Sequence, residues 1–210
     1  MGEKIKNNVV NLVGEIANEF TYDHKVLGEK FYRANLKVDR ISGVHDLLPI
    51  MVSDRAVDIA RLSIGTRVKV FGEYRSYNQH TDIKAKLLLF VFVQDIEFAE
   101  DEEALNEIRL EGYICKQPTY RETPLGREIS DVLIAVNRPY NKSDYIPCIA
   151  WGRNARFAGQ LTIGSGVEVY GRIQSREFQK RVSETEVEQR IAYEVSVRRI
   201  ELLEESTDEE

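Results

Sequence analysis

The chain has 210 residues, of which 42% are hydrophobic and 30% charged, so a disordered or fibrous chain is excluded and one large or two small domains are expected. It contains no apolar run long enough to span a membrane and no apolar leader core at its start, which predicts a cytosolic protein. Cys115 and Cys148 lie in apolar runs without a second ligand residue at a suitable spacing. A disulfide framework and a zinc site are therefore not expected.

The formal net charge of -6 at first argues against a nucleic-acid partner, because phosphate binding normally goes with a basic surplus. The acidic residues are concentrated, however: residues 95–104 and residues 201–210 each contain six Asp or Glu and no Lys or Arg. The stretches 1–94 and 105–200 have 14 basic against 11 acidic and 15 basic against 12 acidic residues. Each half is thus a mildly basic body followed by an acidic strip.

The two halves are copies of one another. NLVGEI (11–16) recurs as RLEGYI (109–114), and GEKFYRANLKVDR (28–40) recurs as GREISDVLIAVNR (126–138), both at an offset of 98 residues. After one inserted residue, SIGTRVKVFGEY (63–74) recurs as TIGSGVEVYGRI (162–173). A period of this length predicts a whole small domain copied once rather than a solenoid.

Taken in chain order, each copy predicts five strands and one helix. Apolar residues alternate with period two in the repeated segments, which is typical of strands. A short helical stretch follows the third strand in each copy, at residues 54–62 and 153–161. Four glycines fall inside strands, where sharply bent barrels need them: Gly14, Gly72, Gly112 and Gly171.

Five strands with one helix after the third is the layout of the OB-fold, a Greek-key barrel. The sequence therefore predicts an all-β protein with two tandem OB-folds. We expect the first over residues 8–98, an acidic linker over 99–106, the second over 107–203 and an acidic tail over 204–210.

The second copy resembles the bacterial single-stranded DNA-binding protein family. The resemblance lies in residues 109–140, 144–159 and 162–178, with the fragments TPLG, AVNRP, IPCIAWG and GRIQSR in the order that family shows. It covers roughly residues 105–200, and the first copy shares it only through the repeat. The resemblance implies sequence-nonspecific binding of single-stranded DNA in replication, recombination or repair.

Single strands are held by aromatic faces that stack on bases and by cations that follow the phosphates. Both kinds of residue are interleaved along the second copy. The resemblance implies base stacking by Tyr140, Tyr145, Trp151 and Phe178. The basic residues expected to contact phosphates are Arg121, Arg138, Lys142, Arg153, Arg156, Arg172, Arg176 and Lys180.

Several alternatives stay open at this point. Trp151 follows an apolar strand and could belong to the core instead. The first copy has Ser53-Asp54-Arg55 where the second has Trp151-Gly152-Arg153, so it either binds DNA weakly or serves as a packing partner. Tyr77 and His80, in its fourth-strand loop, favour weak binding. The acidic end, which lacks the aromatic tip typical of the family, either competes with DNA for the basic groove or is a solubilising segment.

Enzymatic activity is not expected. The sequence has no GxSxG, HExxH, P-loop or CxxC motif, and its three histidines lie in the first half at no recognisable spacing from a Ser or Cys. No cofactor is expected. No metal is expected either, because Glu184, Glu186 and Glu188, spaced two residues apart, have no other ligand residues beside them.

The partners expected are single-stranded DNA and replication or repair proteins, with no membrane. Family members commonly assemble four OB-folds, so the resemblance implies a homodimer for a chain with two. The alternative function is an adaptor similar to primosomal replication protein N, which docks partner proteins and binds DNA only secondarily.

Overall fold

The computed structural model describes residues 7–80, 85–181 and 187–203. Eleven strands account for most of this length. They are β1 (Asn8–Ile16), β2 (Thr21–Val26), β3 (Glu29–Asp39), β4 (His45–Ser53), β5 (Arg67–His80), β6 (Ala85–Phe98), β7 (Leu105–Glu122), β8 (Glu128–Arg138), β9 (Lys142–Trp151), β10 (Gly166–Arg181) and β11 (Val187–Leu202).

The strands form two closed five-stranded barrels. In the second copy, β7 pairs with β8 and β10, β8 pairs with β9, and β9 closes the barrel by pairing in parallel with β11. The first copy has the same connections through β1, β3, β4, β5 and β6, with β4 and β6 in parallel and β2 added beside β3. The prediction of an all-β protein with two tandem OB-folds is confirmed.

The alternation of side chains between the two faces of each strand explains which residues form the barrel cores. In β9, Ile146, Cys148 and Ala150 are buried, and Tyr145 and Trp151 point to the outer face. In β1, Val10 and Leu12 are completely buried in the same way. Each barrel therefore buries one face of every strand and leaves the opposite face available for contacts.

The glycines inside the strands mark close approaches between strands, as predicted. A Cβ on Gly112 would overlap the carbonyl oxygen of Ala135, and a Cβ on Gly171 would overlap that of Ser196. The ladder between β10 and β11 shifts register at Gly171, and the ladder between β5 and β6 shifts at the equivalent Gly72. The two copies therefore bend at the same places.

The helix after the third strand differs between the copies. In the second copy, α1 (Arg153–Ala158) is shorter than the predicted 153–161, because the chain continues as a turn at Gly159 and Gln160. In the first copy, the predicted helix over 54–62 is reduced to a 3-10 helix over Ile59–Arg61. The first residues of the predicted helix form a turn instead, in which the Asp54 N–H donates to the Lys30 carbonyl at 3.0 Å.

The two barrels are joined by strand pairing across a pseudo-twofold axis. Strand β1 pairs antiparallel with β7, with Val10 opposite its own repeat equivalent Ile108. Leu105 and Asn106, which we expected in the linker, belong to this pairing. The preceding residues are held to the first barrel, because Lys69 Nζ bonds the Glu102 carboxylate at 2.9 Å.

None of the helices in the described ranges is long and apolar enough to cross a membrane. Within the same ranges, no three His, Cys, Asp or Glu side chains are grouped so that they could hold a metal ion. Glu184 and Glu186, and the acidic tail, lie outside the described residues.

Candidate nucleic-acid interface

Two of the predicted stacking residues share the outer face of β9. Tyr145 and Trp151 are 41% and 37% exposed, while Ala150 beside Trp151 is fully buried. Trp151 lies opposite Ile129 of β8, and Tyr145 lies opposite Ala135. Because the indole is outside the buried core cluster and more than a third exposed, the structure favours the surface alternative for Trp151 over the core alternative.

Tyr140 lies in the turn between β8 and β9, close to the start of the same strand. It is 93% exposed and has φ 64°, and Asn141 has φ 52°. Residues other than glycine rarely adopt such left-handed conformations, which cost free energy and are concentrated at functional sites. The turn thus exposes the Tyr140 ring to solvent in a backbone conformation that costs free energy.

Phe178 lies on a long two-stranded arm, formed by residues 172–181 of β10 and 187–196 of β11. These residues pair continuously from Arg172 opposite Ser196 to Arg181 opposite Val187. The Phe178 ring is half-buried, and the Arg176 guanidinium lies 5.7 Å from its centroid. Arg176 also pairs with Glu194 at 3.6 Å. The side chain of Lys180, predicted to contact phosphate, lies outside the described residues.

The basic residues predicted to contact phosphates differ in whether they already pair with carboxylates of the protein. Lys142 and Arg153 are exposed and make no ion pair with any residue in the described ranges. Arg121 pairs with Asp131 at 3.0 Å and Arg156 pairs with Glu128 at 3.3 Å, but both guanidinium groups remain largely exposed. Exposed pairs of this kind contribute little free energy, so a phosphate can replace the carboxylate.

Arg138 and Arg172 are in a different environment, at the junction of the two copies. Arg138 Nε lies 3.1 Å from the fully buried carboxylate of Asp144, and Arg172 Nη1 donates to the buried Asp46 carboxylate at 3.3 Å. Burial and the neighbouring Arg40 lower the pKa of Arg172. Both arginines, which we expected to contact phosphates, are paired with buried carboxylates in the junction and keep about a quarter of their side chains exposed, so their phosphate contacts stay a prediction.

The junction consists of two equivalent contacts that sequence reasoning missed. Asp46 of the first copy accepts a hydrogen bond from the Ser175 N–H at 2.8 Å, and Asp144 of the second accepts one from the Ser76 N–H at 2.7 Å. The serine hydroxyls in turn accept hydrogen bonds from Leu47 N–H at 3.0 Å and Tyr145 N–H at 2.8 Å. The repeat contained the signal, because the same polar residues recur at the offsets of the two copies.

The two buried carboxylates differ in their charge environment. Asp46 is bonded by Arg40 through two nitrogens and also by Arg172. Asp144 has Arg138 as its ion-pair partner, and burial raises the pKa of its carboxyl, although the Ser76 N–H and Arg138 act in the opposite direction. Asp46 is therefore the more strongly compensated of the two.

The first copy has no aromatic residue at the positions equivalent to Tyr145 and Trp151. Leu47 and Ser53 occupy the positions equivalent to Tyr145 and Trp151. Ser53 is buried and donates a hydrogen bond to the Glu29 carboxylate, which also pairs with Arg55 at 3.5 Å. Where the second copy presents an indole and the exposed cation Arg153, the first copy thus has a buried serine, a glutamate and Arg55 bonded to one another.

Comparison with known proteins also distinguishes the second copy from the first. Residues 105–203 match the family model described as "Single-strand binding protein family". A single-stranded DNA-binding protein of Oceanobacillus iheyensis is 39% identical over 82 residues, which are 36% of this chain and 51% of that protein. Single-stranded DNA-binding protein A of Bacillus subtilis is 36% identical over 95 residues, 40% of this chain and 55% of that protein. The chain spans about half the length of the curated relatives it matches.

A solved structure resembles the whole chain. The single-stranded DNA binding protein from Thermus aquaticus superposes with a TM-score of 0.73 and covers 97% of this chain and 96% of its own, at 22% identity. At this level of identity the likeness shows the fold, and it extends over both barrels.

Proposed function

We propose that this chain, a member of the single-strand binding protein family through its second half, binds single-stranded DNA without sequence preference. The single observation that carries the proposal is the set of exposed rings on one edge of the second barrel. Tyr140, Tyr145 and Trp151 lie on β9 or the turn before it, and all three present ring surface to solvent. Exposed rings stack on any base, so they bind single strands without reading the sequence.

The exposed cations near these rings, which have weak ion pairs or none within the described ranges, supply the phosphate contacts. Lys142 begins β9 and Arg153 begins α1, so they lie at either end of the strand that holds Tyr145 and Trp151. Arg121, Arg156 and Arg176 complete the proposed set, with Lys180 as a further candidate. Phe178 on the arm is the proposed fourth stacking residue.

Binding to a labelled oligothymidine, followed by fluorescence anisotropy over a series of salt concentrations, tests this proposal. If five cations each neutralise one phosphate, the logarithm of the association constant is expected to fall against the logarithm of salt with a slope of about -3 to -4, at about -0.7 per phosphate. Lys142→Ala or Arg153→Ala is expected to reduce the slope by about 0.7. A duplex of equal length is the control and is expected to bind far more weakly. A response independent of salt would contradict the phosphate contacts.

The same experiment distinguishes the proposed function from the adaptor alternative. A dedicated DNA-binding protein binds the oligonucleotide tightly by itself, whereas an adaptor binds it loosely and requires a partner protein. We propose action in replication, recombination or repair as a binding protein and not as an enzyme, together with replication or repair proteins.

We also propose a homodimer with four OB-folds. The support is the outer face of the strands around β1 and β7, where Val9, Phe71 and Tyr170 are only half-buried. Sedimentation equilibrium distinguishes a single chain of 24.2 kDa from a dimer of twice that mass.

A further inference from the structure

We propose that Ser76 of the first copy is a positioning residue for DNA binding by the second copy: it holds the backbone of Tyr145, so that the ring is ordered before a base stacks on it. The inference rests on the proposed function and extends it, because it gives the first copy a role in binding that requires no contact of its own with the single strand. It follows from the incomplete pairing of β9, from the bonds of Ser76 and from the difference between the two equivalent contacts of the junction.

Strand β9 is paired unequally on its two edges. On one edge it pairs with β8 from its first residue to its last. On the other edge, its pairing with β11 is limited to Cys148 and Ile149 in the described ranges. Within these ranges, the part of β9 around Tyr145 thus has no strand of its own barrel on that edge. A backbone N–H that points there needs another partner.

Ser76 of β5 supplies this partner. Its hydroxyl accepts the Tyr145 N–H at 2.8 Å and donates to a carboxylate oxygen of Asp144 at 3.4 Å. The Ser76 N–H donates to the same carboxylate oxygen at 2.7 Å. Because the hydroxyl hydrogen points to the carboxylate, a lone pair of the oxygen is left to face Tyr145. One residue of the first copy therefore fixes two consecutive residues of β9.

The direction of the Tyr145 ring depends on this backbone. The ring is 41% exposed on the outer face, and it lies opposite the small side chain of Ala135. The residues on either side of it in β9, Asp144 and Ile146, are completely buried and face inward. A ring whose backbone is fixed before binding loses less freedom when a base stacks on it, so the fixed backbone strengthens binding.

The equivalent contact on the other side of the junction holds no ring. There the Ser175 hydroxyl accepts the Leu47 N–H at 3.0 Å, and the Ser175 N–H donates to the Asp46 carboxylate at 2.8 Å. Leu47 stands at the position equivalent to Tyr145. The two serines thus make the same bonds, but of the two it is Ser76 that acts on an aromatic residue of the proposed interface.

The experiment compares the affinity of the full chain for a labelled oligothymidine, measured by anisotropy, with the affinities of Ser76→Ala, Ser175→Ala, Tyr145→Ala and the double variant Ser76→Ala/Tyr145→Ala. Each serine substitution removes one acceptor at the junction and keeps the bond from the serine N–H to its aspartate. Ser175→Ala is therefore the matched control. Urea unfolding of each variant measures its stability and identifies conditions in which all of them are folded.

We expect Ser76→Ala to weaken binding about 3- to 10-fold, the cost of ordering one more side chain on binding, and Ser175→Ala to stay within about twofold of the parent. In the Tyr145→Ala background, the Ser76 substitution is expected to change the affinity by less than about twofold, because the ring that Ser76 positions is absent. Such non-additivity is typical of two residues that act through one contact.

Parent affinity in Ser76→Ala, with weaker binding in Tyr145→Ala, would overturn the inference and leave the proposed function intact. Equal weakening by Ser76→Ala and Ser175→Ala would overturn it too, because the loss would then come from the junction as a whole. So would the same loss from Ser76→Ala with and without the Tyr145 ring, since Ser76 would then act independently of that ring. If the parent does not bind the oligonucleotide, the proposed function fails and the inference fails with it.

Discussion

Replacing Tyr145 and Trp151 together with alanine is expected to weaken binding of single-stranded DNA by about 2–6 kcal/mol, at about 1–3 kcal/mol for each stacked base. Both rings lie on the outer face of β9 and present more than a third of their surface to solvent. Most of the expected loss therefore comes from the contact with bases and not from the barrel core. Anisotropy with a labelled oligothymidine gives the affinity, and urea unfolding of the same variant gives its stability.

The first copy provides the matched control. Leu47→Ala and Ser53→Ala change the positions equivalent to Tyr145 and Trp151, which hold no aromatic ring in the first copy. Neither is expected to change the affinity by more than a few tenths of a kcal/mol, the usual effect of a substitution away from a binding site. If the double variant of the second copy kept the parent affinity and lost only stability, the two rings would be packing residues and the proposed interface would be wrong.

The second large effect is expected in stability. Asp46→Asn keeps the shape of the buried side chain but removes the charge that Arg40 and Arg172 both contact. Removing one partner of a buried ion pair typically costs 3–5 kcal/mol, because the remaining charge stays buried without compensation. We therefore expect the free energy of unfolding to fall by about 3 kcal/mol or more, as measured by urea denaturation.

Asp144→Asn is the matched variant on the other side of the junction. It leaves a single guanidinium, that of Arg138, without its partner, and it removes a carboxylate whose pKa is raised by burial. A folded-state pKa above the unfolded value means that the stability contributed by this group is present below the unfolded pKa and is lost as the pH rises through the folded pKa. Because burial disfavours the ionised form of Asp144 and raises its pKa, its replacement is expected to destabilise less than Asp46→Asn. An equal or larger loss for Asp144→Asn would contradict this description of the junction.

The fold could be predicted because its determinants are local. Alternation in segments such as TIGSGVEVYGRI identifies strands, and glycines such as Gly112 and Gly171 stand where neighbouring backbones approach too closely for a side chain. The repeat then assigned the same fold to the weaker first copy. The helix of that copy was overestimated because Asp54 bonds instead to Lys30 at the start of β3: its N–H donates to the Lys30 carbonyl, and its carboxylate accepts the Lys30 N–H.

The outer face of the second barrel could also be predicted in outline. Strand alternation alone places Tyr145 and Trp151 on the same side of β9, and their exposure agrees with the hypothesis that they meet a ligand. Whether they stack on bases stays a prediction, as do the phosphate contacts of the remaining cations.

The fate of Arg138 and Arg172 could not be predicted, because it depends on how the two barrels are arranged. Arg138 is paired within its own copy, but its partner Asp144 also accepts a hydrogen bond from the Ser76 N–H on β5 of the first copy. Arg172 contacts Asp46, which is 126 residues away in the sequence. The order of cations and aromatic residues within one copy does not indicate contacts between the two copies. The recurrence of Asp46 as Asp144 and of Ser76 as Ser175 was the available signal, and it indicates a contact without showing between which strands.

The most direct test of the central claim uses the only tryptophan in the chain. Oligothymidine is titrated into the protein while the emission of Trp151 is followed, with a duplex of equal length as the control. Because the proposed interface places a base on the indole, we expect strong quenching that saturates with the single strand and little change with the duplex. Saturable binding of the single strand by anisotropy without any change in Trp151 emission would contradict the claim that this face of the second barrel holds the DNA.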